Sequence, residues 1–106
     1  MNQIFIYIND NYKNKLNNFI YISNDKLWQL KKQDELKLVQ KDSLKYIYAG
    51  KIVDIDKNWI FIKSYNHYKN IYKIIYPEKY YIYVKKYLNK NDQFRQSLEN
   101  IINKLN

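Results

Sequence analysis

YIYAGKIVDIDKNWIFIK, residues 46–63, is the stretch on which the fold turns. Tyr46 and Tyr48 continue an alternation begun at Leu44, Ile52 to Asp56 is a further extended run, and Trp59 to Lys63 returns as its partner. Asp56-Lys57-Asn58 between them is a turn, since Asn tolerates the left-handed conformation that a tight hairpin needs. Upstream, Leu36 and Leu38 alternate with charged neighbours, which predicts one more strand. Downstream, a polar loop over 64–70 leads to strands at 71–76 and 80–85, separated by Pro77, which cannot donate to a ladder. Short strands at this spacing predict a mainly β protein, a small antiparallel barrel or sandwich.

The ends of the chain read differently. Ile4, Ile6 and Ile8, interrupted by Phe5 and Tyr7, have the look of a buried strand, whereas Tyr12, Leu16, Phe19 and Ile20 fit helical spacing. The Asn-rich stretch 9–18 is a poor helix former and reads as a loop. At the other end Phe94, Leu98, Ile101, Ile102 and Leu105 line one face of a helix that Asn91 or Asp92 can cap. Docking of that face on the barrel is the expectation. The polar face of Arg95, Glu99, Asn100, Asn103 and Lys104 is too weakly basic to favour lipid headgroups. The chain is thus read as a single domain over 1–106: an N-terminal extension (1–30), a β-barrel (35–86) and a C-terminal amphipathic α-helix (91–105).

Ile, Asn, Lys and Tyr supply more than half of the 106 residues, and their codons are built mainly from A and T. That bias inflates thirteen Tyr and eighteen Lys, so neither count alone argues for a binding surface. One Gly (Gly50), one Pro (Pro77) and one Arg (Arg95) persist against it and carry more weight. The net charge of +9 remains informative, because Asp and Glu codons are not GC-rich and were free to balance the lysines. An anionic partner, nucleic acid first, is the expectation. Absence of Cys and a single His (His67) argue against disulfides and a structural zinc site. No apolar run approaches the roughly 20 residues that span a bilayer, the N-terminus lacks the basic start and small-residue cleavage site of a secretory signal, and Asn-Gln-Ile-Phe at positions 2–5 does not resemble an Arg-rich transit peptide. A soluble protein working where it is made is expected.

Catalysis is not expected. His67 sits in a polar stretch between Asn66 and Tyr68, with no activated Ser readable beside it. Asp54 and Asp56 flank a hairpin turn, where Asp is common without any metal or acid–base role. One Gly cannot build a glycine-rich phosphate loop. No cofactor, metal or small-molecule substrate is anticipated. Basic and aromatic residues are more productive. Lys51, Lys63, Lys69, Lys73, Lys79, Lys85 and Lys86 are interleaved with Tyr65, Tyr68, Tyr72, Tyr80, Tyr81, Tyr83 and Tyr87. Lysines neutralise phosphates with release of counterions, and Tyr rings can stack on exposed bases.

The order of landmarks over residues 34–88 adds a family resemblance. Asp34 precedes alternating Leu36 and Leu38; Tyr48-Ala49-Gly50 is followed by Ile52-Val53; a return strand reads Ile60-Phe61-Ile62-Lys63. Tyr72 to Tyr76 runs into Pro77, with Ile82 and Val84 five and seven positions later, then Tyr87-Leu88. This resembles the large-subunit ribosomal protein nineteen family of bacteria and organelles. That family has Gly-Asp before alternating Val, then Phe-Glu-Gly-Val-Val-Ile and a Phe-Thr-Val-Arg return strand. A Ser-Pro follows, with Ile and Val at the same offsets, and then Tyr-Tyr-Leu-Arg. The departures are Tyr48 and Ala49 for Phe-Glu, Gln33 where the family has Gly, shorter connections after Val53 and over 64–70, and a basic segment reduced to Lys85 and Lys86. The resemblance covers about half of the chain. Part of the same stretch is also similar to Sm-type and other SH3-like small barrels, through Gly50, Ile52 and Asp56, with Ile60 where Sm proteins carry Asn.

The resemblance implies a small SH3-like antiparallel barrel and a structural, rRNA-binding role in the large subunit near the subunit interface, beside neighbouring ribosomal proteins. An organellar (mitochondrial or plastid) or reduced-genome ribosome fits the composition. Lys45, Lys51, Lys63, Lys73, Lys85, Lys86 and Arg95 are the residues expected to contact phosphates. Arg95 stands out because it remains Arg where drift favours Lys, and its planar fork grips a phosphate bidentately. The alternative is a non-catalytic small-barrel assembly subunit of viral or organellar origin, using a Tyr-rich sheet edge or the terminal helix as its interface.

Overall fold

A computed structural model describes residues 2–66 and 68–85. Helix α1 (Gln3–Tyr12) is followed by β1 (Phe19–Ile22), a 3-10 turn at Asn24–Gln29, and strands β2 (Glu35–Gln40), β3 (Tyr46–Ile55), β4 (Ile60–Asn66) and β5 (Lys69–Ile75). A second 3-10 turn (Pro77–Lys79) leads into β6 (Tyr80–Lys85). The expected C-terminal helix over 91–105 lies outside the described residues.

The protein is mainly β, as the alternation predicts: one six-stranded antiparallel sheet in the order β1-β6-β2-β3-β4-β5. Among the described residues the sheet does not close into the expected barrel: β1 pairs with β6 alone and β5 with β4 alone, leaving two edges. The segment read as an N-terminal extension adds β1 to the outside of β6, so that β6 lies between β1 and β2.

Bending of β3 nonetheless folds the sheet over its own core. Leu36 faces Gly50 and Lys37 faces Tyr48, so Ala49 is an extra residue against β2. Ile52 faces Ile62 and Asp54 faces Phe61, so Val53 is an extra residue against β4. Each bulge shifts the inward phase by one, and the core-facing positions fall at Ile47, Ala49, Ile52 and Ile55. That double slip breaks the alternation after Tyr48, where the sequence reads as two separate runs. The resulting bend lets Ile22, Leu36, Leu38, Ile52, Ile60, Ile62, Ile75, Ile82 and Val84, drawn from all six strands, share one buried cluster.

Gly50 makes the bend possible. It adopts φ +115°, and an added Cβ would overlap the Lys63 carbonyl oxygen, 2.8 Å from the carbonyl carbon and 3.0 Å from the Ser64 Cβ.

A second, smaller core lies on the outer face, where α1 covers β6 and β2. Ile8, Val39 and Tyr83 are buried there, packed by Ile4, Phe5, Tyr12, Leu16, Phe19 and Tyr81. Here the sequence reading is reversed: residues 4–8 are helical and Phe19–Ile22 is a strand. A short apolar run has no unique period, and two local features select the helix. The Asn2 side chain accepts from the Ile4 N–H at 2.8 Å as N-cap, and Ile4, Ile8 and Tyr12 then stack on one face. Asn18 adopts φ 68° in the turn that reverses the chain into β1.

Two turns also differ from expectation. The 56–58 turn forms, with the Asp56 N–H donating to the Trp59 carbonyl at 2.9 Å, but Asn58 is not left-handed. The 64–70 loop shrinks to two residues because Asn66 pairs with Lys69, and Tyr68 takes the positive φ of 68°. His67 lies outside the described residues.

Two expectations follow. Gly50→Ala should cost roughly 2–4 kcal/mol, from left-handed strain plus displacement of the β4 backbone. Urea denaturation reads this, and a loss below about 1 kcal/mol would contradict the close approach. Burial beneath α1, helped by the neighbouring Tyr21 and Tyr81, pushes the Tyr83 hydroxyl up to about 12. The folded state therefore keeps a proton that the unfolded chain loses near pH 10. Stability contributed by that proton is intact below pH 10 and falls by roughly 1–3 kcal/mol as the pH rises towards 12. Urea midpoints across this window should decline less in Tyr83→Phe.

Candidate nucleic-acid interface

Of the seven predicted phosphate contacts, the fold brings two together. Lys51 on β3 and Lys63 on β4 are directly opposite one another, so their side chains leave the sheet on the same outer face, and both are exposed. Lys73 does not join them. It pairs with Ile62, whose side chain is in the core, so Lys73 projects from the opposite face of the edge strand β5. Lys45 lies in the β2–β3 turn, where its carbonyl accepts from the Gln40 N–H at 2.9 Å. Lys85 ends β6 opposite Phe19. Lys86 and Arg95 lie outside the described residues.

The Lys51–Lys63 pair sits where two strands part. Beyond it, Ser64 to Asn66 pair only with β5, while Tyr46 to Tyr48 pair only with β2. A groove of about 330 Å³ opens at this fork, lined by Gln33, Tyr48, Lys51, Lys63, Ser64, Tyr65 and Asn70 among others. The lining therefore combines two ammonium groups, two phenol rings and three uncharged polar side chains. Like charges directly opposite across a sheet are destabilising by up to about 1 kcal/mol. Glu35, the β2 partner of Lys51, does not resolve this as an ion pair; its carboxylate accepts from the Tyr48 hydroxyl at 3.3 Å. Among the described residues neither lysine is ion-paired. A bound anion would remove the repulsion.

Aromatic residues frame the pair on both sides. Tyr72, opposite Lys63, stacks on Phe61 with centroids 5.7 Å apart and 28° between planes, and the Lys63 ammonium stands 6.0 Å from its ring. Tyr65 projects on the other side, 67 % exposed. Tyr80, Tyr81 and Tyr83, part of the same aromatic run in sequence, instead pack into the two cores. Several lysines are likewise engaged with rings: Lys15 over Tyr46 at 4.8 Å, Lys37 over Phe19 at 4.3 Å, Lys41 over Tyr81 at 5.5 Å. Such contacts hold the α1 layer and its surroundings together.

Gln33, Tyr48, Ser64 and Asn70 were not expected at a site. Only the pairing register brings them to the groove, and nothing in their spacing signals it. Gln33 has a further feature. Lys31 to Asp34 form a tight turn in which the Asp34 N–H donates to the Lys31 carbonyl at 3.2 Å and the Asp34 carboxylate accepts from the Lys31 N–H at 3.0 Å. Gln33 occupies its third position at φ 78°, the region that favours Gly.

No group of three or more His, Cys, Asp or Glu among the described residues is placed to hold a metal ion. No helix among them is long and apolar enough to cross a membrane. No protein-family model matches this chain, nor does any curated protein or solved structure.

Gln33→Gly is expected to raise stability by about 1 kcal/mol through relief of the left-handed side-chain strain. A loss in urea denaturation would mean that the Gln33 side chain contributes contacts that outweigh the strain.

Proposed function

We propose that the chain is a structural, non-catalytic RNA-binding protein, a divergent relative of the large-subunit ribosomal protein nineteen family, in the ribosome of an organelle or a reduced-genome cell. The observation that carries the reading is the Lys51–Lys63 pair: two cations directly opposite one another, neither in an ion pair among the described residues, on a tyrosine-framed surface of a chain with net charge +9. Repulsion built into the sheet is offset when a phosphate sits between them.

Three landmarks of the resemblance add support. Gly50 meets a backbone that excludes any side chain. Pro77 is buried at the start of the 3-10 turn that delivers Ile82 and Val84 into the core on β6. Gln33, which departs from the family's Gly, stands at a position whose φ suits Gly. The connectivity also fits an SH3-like barrel left open at one seam. β2 to β5 form a meander, a single 3-10 turn follows, and β6 returns beside β2. Partners on this reading are rRNA and neighbouring ribosomal proteins.

A second reading, a protein-assembly module, is favoured by the edge strand β5. Six of its seven residues are exposed, with Ile71, Tyr72 and Ile74 among them, and among the described residues one side of its backbone has no strand partner. Sedimentation of a lysate from the cells that make the chain separates the two. Co-migration with large ribosomal subunits and release at high salt are expected. Migration in a complex that nuclease leaves intact would instead support the assembly module.

A further inference from the structure

We infer that the groove at the β3–β4 fork takes an unpaired nucleotide, its phosphate bound by Lys51 and Lys63 together and its base laid against Tyr65. This deepens the RNA-binding reading and rests on it.

The geometry of the lysines selects one phosphate. Residues directly opposite on neighbouring strands have Cβ atoms about 4.5–5.5 Å apart. Both side chains are long enough to reach the oxygens of a single phosphate, Lys63 by swinging from its place 6.0 Å from the Tyr72 ring. The third potential cation of this region, Lys73, faces the other side of the sheet, so among the described lining residues no cation beyond Lys51 and Lys63 extends the groove along a strand.

The tyrosine selects the state of the base. Lys63 and Tyr65 stand two residues apart on β4 and project from the same face, so their stems are separated by about 6.6 Å. That spacing matches the reach from a phosphate across its sugar to the base. Tyr65 is two-thirds exposed and makes no ring contact or hydrogen bond among the described residues, so its ring faces are available. Tyr72 is the poorer platform, because one face already rests on Phe61. Bases inside a duplex are stacked on each other and cannot offer a face to a ring, whereas an unpaired or extruded base can. Ser64 and Asn70 complete the lining with uncharged hydrogen-bonding groups within the same groove, suited to sugar hydroxyls or a base edge.

Fluorescence anisotropy of the full chain with a labelled short single-stranded RNA of mixed sequence, and with the same strand annealed to its complement, tests the inference. Single-stranded RNA should bind more tightly than the duplex. Tyr65→Ala should weaken single-strand binding roughly five- to hundredfold with an unchanged salt slope, whereas Tyr65→Phe, which keeps the ring, should retain it. The double variant Lys51→Gln/Lys63→Gln should lower the log–log salt slope by about 0.7, the value for one phosphate on a single strand. These side chains are exposed, so the variants are expected to fold. Equal binding of both RNAs, with Tyr65→Ala inert, would overturn the unpaired-nucleotide site and leave RNA binding standing. Failure of both RNAs to bind at low salt would overturn the RNA-binding reading itself, and this inference with it.

Discussion

The close passage of β3 over the Lys63 carbonyl is the contact on which the rest of the molecule depends. A sheet of six strands cannot enclose a core unless some strand turns sharply, and here that strand is β3. Two extra residues, Ala49 and Val53, supply the bend, while Gly50 supplies the room. The same bend creates the fork between β3 and β4. Core closure and the groove are therefore two results of one local deformation, and the Lys51–Lys63 pair sits at the last rung before the strands separate.

How α1 is placed decides which basic and aromatic residues are left for partners. It covers the β6 and β2 portion of the outer face and draws Tyr81 and Tyr83 into packing. Among the described residues no helix covers the β3 to β5 portion. Lysines near the helix lie over rings of the packed layer, whereas Lys51 and Lys63 stand on the half that α1 does not cover, Lys63 beside the exposed Tyr72. A surface of uniform composition is thereby divided into a structural half and an accessible half.

Much of the strand arrangement could be read from alternation, because β2, β4 and β6 keep a steady inward phase: Leu36 and Leu38, Ile60 and Ile62, Ile82 and Val84. β3 could not be read as one strand, since bulges erase the period that reveals strands. The N-terminal third was inverted because an apolar pentad such as Ile4–Ile8 fits either period. Its helix depends on the local Asn2 cap and on packing across the sheet, and only the second is a matter of three-dimensional context. At the groove, charge marked Lys51 and Lys63 in advance. Their pairing, and the company of Gln33, Tyr48 and Asn70, came from register. Lys73 shows the limit of composition most plainly, for a lysine one residue from Tyr72 lies on the other side of the sheet.

The position of β6 carries a consequence for how the protein comes into being. β6 is the last described strand in sequence yet pairs with the first two, bridging Phe19 to Lys85 and Leu36 to Val84. During synthesis the β2–β5 meander can assemble from near neighbours, but β1 has no strand to lie against until residue 85 has emerged. Helix α1 likewise waits for Tyr81 and Tyr83, against which it packs. Such long-range pairing is paid late in loop-closure entropy and leaves apolar strands uncovered while it is pending. The nascent chain therefore carries an unfinished surface across its first third, and a single late strand completes both cores at once.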